Sequence, residues 1–378
     1  MSKVGKLKNT VKSLYRATVT NFYSKPYWIA KLIIHPKEYC VRESYYPDKR
    51  QKSHFQIWFD QLGQILRYGS PNHFYFPYGF DVKTKKEQKE YLHFIPFSKL
   101  RVKGRKAEHS PTAILRDKLL FGMFTEYFGI KSPKNIAISD KNGLLDLETK
   151  NIISFQDFLN KYPNGDFFAK PIDGECGDGI FHLQMKNGNI IINNQSSNAE
   201  ELEKRLSEWR YLIQSTVEQH PLMSSLHPQS TNTIRLVTVR NKCSNNTPVV
   251  FPSILRIGTG DSIVDNTSQG GLAVGIDLTS GNLKEYGFYK PEYGTKVKIH
   301  PDSSILFSSF SIPFFKECCQ QACLLHSFLS DINSIGWDVA IGSNGPIFIE
   351  GNDNWEINGP QICNGGLKKL FKTYLNEM

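Results

Sequence analysis

Residues 335–355 read IGWDVAIGSNGPIFIEGNDNW. Two apolar segments flank a Gly-Ser-Asn-Gly turn, and each carries an acid: Asp338 in the first, Glu350 at the end of the second. Asn352 follows two residues later. Strand residues alternate faces, and a tight turn lays two strands side by side, so Asp338 and Glu350 can approach across a hairpin. Like charges held that close repel unless a cation sits between them. Hard oxygen ligands with no His or Cys nearby select magnesium, with manganese as the alternative, over zinc. Magnesium typically combines one or two carboxylates with substrate phosphates, so the hairpin predicts a metal–nucleotide site. The plainer alternative is one exposed carboxylate on each strand.

Three cations also stand where chemistry could use them. Lys170 ends the apolar run FFAK directly before Pro171, and DGECGDG follows with Gly174, Gly177 and Gly179. Glycines let backbone N–H groups wrap a phosphate, and a lysine adds a point charge. The spacing is neither a P-loop nor a dinucleotide fingerprint, and a plain hairpin accounts for it equally well. Arg235 in NTIRLVT and Arg256 in ILRIG lie on adjacent candidate strands. An arginine in a sheet-lined cleft is costly unless paired. The reading favoured here is stabilisation of charge on a transferring phosphoryl group; the alternative is a salt bridge to Asp338 or Glu350. No GxSxG motif or Cys/His pairing offers a nucleophile. Seven cysteines without framework or zinc-ligand spacing suggest a reducing compartment.

The elements that must position these groups are short and mixed. TAILRDKLLFGMFTEYFGI from Thr112 predicts one helix closing near Gly129. SPKNIAISD reads as a strand and turn, and NIISFQDFLNKYPNG as a short helix. FFAKP is a strand, and a hairpin turns around Asn187 and Gly188. AEELEKRLSEWR is an amphipathic helix, YLIQSTVE a strand, and TNTIRLVTVRN and TPVVFPSILRIGTG two further strands. The loop DNTSQGG leads into the strand LAVGIDL. Residues 311–333 and GGLKKLFKTYLNEM read as helices. Such an order argues for an α+β fold with largely antiparallel sheets.

At 378 residues the chain accommodates two or three domains. Its charge is uneven: residues 1–110 hold 22 Lys and Arg against 8 Asp and Glu, while the remainder holds 24 against 28. The basic half contains SKVGKLKNTVK, DVKTKKEQK and RVKGRK, interleaved with aromatics. A solvated basic surface is the favoured reading; a dock for an anionic lipid, polymer or nucleic acid is the sharper one. No nucleic-acid motif accompanies the charge, so nucleic acid is not expected as a partner. No apolar run reaches membrane-spanning length, and the N-terminus lacks the apolar core of a secretory signal. The expectation is a cytoplasmic protein, with peripheral contact at the inner membrane face through its basic N-terminal region.

In order along the chain come DK, then KP with its glycines, a candidate hinge strand, and the D…E.N set. This order resembles the ATP-grasp superfamily. YLIQSTVEQH, STNTIRLVT, ILRIGTGDSIVDNTSQGGLAVGID and IGWDVAI…GPIFIEGN resemble, within it, the sugar-transfer-associated ATP-grasp group. The resemblance covers residues 110–378. It implies two α+β subdomains gripping ATP between antiparallel sheets: a lid subdomain over 111–220 and a catalytic one over 221–378, after a basic region over 1–110. It implies that Lys118 and Lys170 contact the ATP phosphates under a lid of Gly174, Gly177 and Gly179. Gln214 and Val217 would hold adenine, and Glu218 or His220 the ribose. Gln214 departs from the usual Glu, but its carbonyl oxygen still accepts from the exocyclic amine. Asp338, Glu350 and Asn352 would hold magnesium ions. Many such ligases place an arginine two residues before the metal-binding Asp; Gly336 stands there, which makes Arg235 and Arg256 the replacements. The loop with Asp265, Asn266, Gly270 and Gly271 would face the acceptor, and Asp353 and Trp355 would line its pocket, a core tryptophan being the alternative. The implied reaction joins an amine or amino acid to a carboxylate, such as a uronic acid of surface polysaccharide, through an acyl-phosphate. A phosphotransferase and a non-catalytic nucleotide-binding module are the rivals.

Overall fold

The computed structural model describes residues 19–105, 111–140, 143–172, 179–186 and 188–377. Two antiparallel sheets dominate it. The first contains β1 (Asn135–Asp140), β2 (Gly143–Asp146), β3 (Ile152–Ile153), β4 (Asp166–Pro171), β5 (Phe181–Lys186), β6 (Asn189–Ile192), β7 (Gln195–Ser197) and β8 (Tyr211–Ser215). Its order is β3-β2-β1-β8-β4-β5-β6-β7. The second contains β9 (Thr233–Asn241), β10 (Thr247–Ile257), β11 (Leu272–Ile276), β12 (Leu283–Phe288), β13 (Lys296–Val297), β14 (Ser334–Gly342) and β15 (Gly345–Asn352). Its order is β13-β12-β11-β10-β9-β14-β15.

Alternation divides each sheet into a packed face and a working face. Ala169, Phe181, Leu183, Tyr211 and Ile213 pack one side of the first sheet against helices Phe155–Lys161 and Ala199–Glu208. The second of these helices places Leu202 and Leu206 four residues apart on its buried stripe, capped by the Asn198 side chain. Lys170 pairs with Leu212, and Phe168 with Gln214, so these four share the opposite face. In the second sheet Leu236, Leu255, Val274, Trp337 and Val339 pack against helix Phe315–Phe328. On its other face Val237, Val239 and Phe251 are covered by Phe97, Trp355 and Phe371. The cover stops short of Arg235 and Asp338.

Three elements differ from the sequence reading. The helix expected from Thr112 is two, Thr112–Arg116 and Lys118–Tyr127. Asp117 between them is extended, and its carboxylate accepts from the Leu119 and Leu120 N–H groups at 2.9 Å. An aspartate cap starts a new helix more cheaply than it continues an old one. The helix read over 311–333 occupies Phe315–Phe328, and the closing one Lys368–Tyr374. The described part of residues 1–110 shares its cores with the C-terminal half. Tyr45, Tyr75, Tyr78 and Phe80 cluster with Phe288 of β12. Tyr78 Oη donates to Asn358 at 2.7 Å, and the Gln361 side chain bonds both backbone groups of Leu92.

Candidate functional site

Register alone aligns the central charges. Asp338 of β14 lies between Arg235 of β9 and Glu350 of β15, forming a row across three strands. Asp338 is buried, and its carboxylate accepts from Arg235 Nε at 2.5 Å and Arg235 Nη2 at 3.0 Å. Arg256 Nη2 of β10 stands 3.1 Å from Asp338 Oδ2. Burial works to raise the Asp338 carboxyl, but the two arginines overcome it and hold the group below the usual carboxylate range. Glu350 goes the other way. Burial and then the adjacent Asp338 raise it. Asn352 Nδ2 donates to Glu350 Oε1 at 3.0 Å. The mutual repulsion thus falls on Glu350, while the arginines shield Asp338 from it. The salt-bridge alternative for the arginines is present in this geometry; it leaves them beside the carboxylates, facing the cleft.

Asp265 is buried against this cluster. It accepts from the Thr233 N–H at 2.9 Å and from the Thr233 hydroxyl, and lies 3.5 Å from Arg256 Nε. Arg256 also donates to Thr233 Oγ1 through Nη2 at 2.6 Å. Asp265 is therefore an anchor for Arg256, not a group open to an acceptor. Gly270 takes φ +94°, and a Cβ on Gly271 would sit 2.6 Å from the Asp265 carbonyl oxygen, so the turn that delivers Asp265 requires both glycines. The Asn266 carbonyl closes the same turn by accepting from the Gln269 and Gly271 N–H groups.

From the first sheet, Lys170 faces these acids. Burial first, and then Lys118, push its ammonium down to about 8, while Glu350 pulls the other way. Groups from both sheets are thus electrostatically coupled across the cleft. The Lys118 N–H bonds the Ile172 carbonyl at 3.2 Å, tying the DK turn to the end of β4. Gly179 takes φ +72°; Gly174 and Gly177 lie outside the described residues. Gln214 is buried on the working face and donates to Asn135 Oδ1 at 2.8 Å. Val217 and Glu218 line a cavity of about 280 Å³ with Lys131, Lys134, Gly342 and Ile347, at the joint between the sheets and apart from the carboxylates. His220 Nδ1 accepts from the Leu222 N–H at 3.1 Å as a helix cap.

The expectation for Trp355 is corrected. It is buried, packs on Phe97 and Phe371, and donates from Nε1 to Ser334 Oγ at 3.0 Å, so it is core and lines no pocket. Asp353 is held by Arg105 Nη1 at 2.6 Å and by Arg116 Nε at 2.9 Å. Arg101 donates to the Trp355 carbonyl at 2.6 Å and to Asn354. These three arginines were missed as site neighbours. Two of them stand in RVKGRK, whose charge density reads as a solvated surface; only tertiary structure turns Arg101 and Arg105 inward.

Gly336 explains the absent arginine. A Cβ there would lie 2.7 Å from Trp355 Cβ and 3.2 Å from Arg235 Cδ, so Trp355 first and then the Arg235 stem fill the space above it. Gly336→Ala should cost about 1–3 kcal/mol by overpacking, measured by denaturant unfolding; no loss would mean Arg235 is free to move.

A family model described as sugar-transfer associated ATP-grasp matches residues 101–374. The chain belongs to this family. A comparison with curated protein sequences gives no significant match. Similar solved structures include a D-alanine–D-alanine ligase from Bacillus anthracis, at 12% identity and TM-score 0.39, covering 70% of this chain and 68% of that one. An N5-carboxyaminoimidazole synthetase from Staphylococcus aureus matches at 10% identity and TM-score 0.38, over 70% of this chain and 52% of that one. An ADP complex of N5-carboxyaminoimidazole ribonucleotide synthetase matches at 8% identity and TM-score 0.39, over 65% and 46%. The match thus spans about half the length of these two synthetases. ATP-grasp proteins bind ATP, typically with Mg2+. The donors present in this ATP-grasp chain suit both: two carboxyl groups and an amide for a hard cation, and Lys170 for phosphate. No described helix is long and apolar enough to cross a membrane.

Proposed function

We propose that this ATP-grasp protein is an ATP- and Mg2+-dependent carboxylate–amine ligase. The row of Arg235, Asp338 and Glu350 across three adjacent strands, with Arg256 beside Asp338 and Asn352 on Glu350, carries the reading. Lys118 and Lys170 hold the phosphates, the glycines after Pro171 cover them, and Gln214 and Val217 hold the base. Asp338, Glu350 and Asn352 hold Mg2+, which supplies charge neutralisation at the phosphates when bound. Arg235 and Arg256 face the transferring group. The acceptor is a carboxylate, converted to an acyl-phosphate and attacked by an amine or amino acid. A uronic acid of surface polysaccharide fits the family description. In this reading Asn266 faces the acceptor, and Asp353 serves it indirectly by fixing Arg105 and Arg116.

The test is incubation with Mg-ATP and pairs of uronic acids and amino acids. ADP, phosphate and an amide product by mass spectrometry support the proposal; no ADP release with any acid removes it. A stable phosphoester in the phosphorus NMR spectrum would instead establish the phosphotransferase reading. Nucleotide binding without turnover of any kind would establish the regulatory one.

Lys170 gives this reading a pH signature. Its ammonium is charged below about 8 and lost above it. Phosphate prefers the charged form, so affinity for a non-hydrolysable ATP analogue should fall as pH rises through that value. Lys170→Arg, charged throughout, should flatten the fall in titrations one unit either side. Stability moves oppositely. The unfolded chain, with lysine near its ordinary 10.5, binds more protons in this window, so unfolding free energy rises with pH there.

A further inference from the structure

Helix Lys25–Ile34, KPYWIAKLII, carries apolar residues on every side. Its inner face, with Trp28, Ile29 and Leu32, packs into the N-terminal core. Its outer face is bare: Tyr27, Ile33 and Ile34, with Phe22 and Tyr23 just before, are 54–73% exposed. Helix His54–Tyr68 repeats the arrangement. Ile57 and Ile65 are buried, while Phe55, Phe59 and Leu66 on the far side are 50–71% exposed. The rings of Phe55 and Phe59 touch, with centroids 4.7 Å apart. Trp58 Nε1 donates to the Leu32 carbonyl at 3.4 Å and joins the two helices. Single exposed apolar residues need no explanation, but two neighbouring helices with a second apolar stripe do.

We propose that these outer faces form a monotopic docking surface for an anionic bilayer. The charge around them selects that occupant. The first 37 residues contain eight Lys or Arg and no Asp or Glu, and Lys25, Lys31 and Lys37 flank the patch. Protein–protein interface cores are depleted in lysine, whereas interfacial helices combine aromatics with flanking lysines. In the sequence before them, Val4, Leu7, Val11 and Leu14 recur at three- and four-residue intervals among Lys and Arg, the same pattern. This surface is independent of the ligation chemistry.

The test is flotation of the full chain with vesicles of phosphatidylcholine alone or enriched in phosphatidylglycerol. Binding to the anionic vesicles is expected, weakened but not abolished by salt. The variant Ile33→Ser, Ile34→Ser, Phe55→Ser, Phe59→Ser should bind at least ~10-fold less, because four exposed apolar side chains leave the interface. Its ATP-analogue affinity should match the parent, and its melting temperature should fall only slightly, since the packing removed is the exposed Phe55–Phe59 pair and the Phe59 edge contact on Trp58. Failure of the parent to float with anionic vesicles at low salt overturns the proposal. So does equal flotation of the variant, or concentration-dependent dimerisation in light scattering that the same substitutions abolish.

Discussion

Glu350→Gln should lower ATP turnover at least ~100-fold while changing affinity for an ATP analogue less than ~10-fold. The substitution is close to isosteric with glutamate. Burial and Asp338 raise the Glu350 carboxyl above the usual range, and its Oε1 accepts from Asn352. A glutamine amide keeps this contact, its oxygen accepting from Asn352, and removes a charge that burial and Asp338 disfavour. Stability should therefore stay within ~1 kcal/mol of the parent. What glutamine cannot supply is the negative charge a divalent cation draws out of the acid. Binding of the nucleotide's other parts rests on Lys118, Lys170 and the hinge, which the substitution leaves alone. Steady-state ADP release and analogue titration measure the two effects. Full turnover in Glu350→Gln would remove the metal role of the hairpin; loss of analogue binding together with turnover would mean that the triad is mainly a binding device.

The hairpin was legible because all its information is local. The two-residue turn between Gly342 and Gly345 sets the register as far as Val339 and Phe348, and a β-bulge there shifts the pairing by one residue to bring Glu350, not Ile349, opposite Asp338. Alternation then places Arg235 beside Asp338 once β9 is known to be the neighbour. That neighbour was not readable, because β9 and β14 are about a hundred residues apart and strand order is a tertiary property. The break at Asp117 was hidden for a different reason. The apolar spacing of a helix runs through it without a fault, and only the cap chemistry of aspartate opposes continuation. Composition misled at Trp355 and in RVKGRK. A tryptophan beside metal ligands suggests a pocket, yet Gly336 leaves space that this ring fills from behind. A basic run suggests solvent, yet Arg101 and Arg105 are drawn in by the Trp355 carbonyl and Asp353.

Arg235→Met should destabilise the protein by about 3 kcal/mol, the lower end of the cost of leaving half of a buried ion pair. Asp338 would keep Arg256 Nη2 at 3.1 Å but lose both donors of the bidentate grip. The methionine stem still covers Gly336, so the loss reports charge and not packing. Two further measurements separate this account from a simple packing defect. Adding Asp338→Asn to Arg235→Met should recover part of the loss, because the uncompensated charge is gone, giving a coupling of at least ~1 kcal/mol in a double-mutant cycle. Mg2+ with a non-hydrolysable ATP analogue should stabilise Arg235→Met more than the parent, because a cation at Asp338 takes over the role of the missing guanidinium. Arg256→Met should behave differently. Arg256 also satisfies Thr233 and stands against Asp265, so its loss frees a second buried acid that burial already raises. Asp265 can then take up a proton, and the cost of Arg256→Met should shrink as pH falls. An Arg235→Met protein as stable as the parent, with no extra response to Mg2+ and analogue, would mean that Asp338 does not depend on Arg235. The arginines would then lose their standing as substitutes for the side chain missing at Gly336.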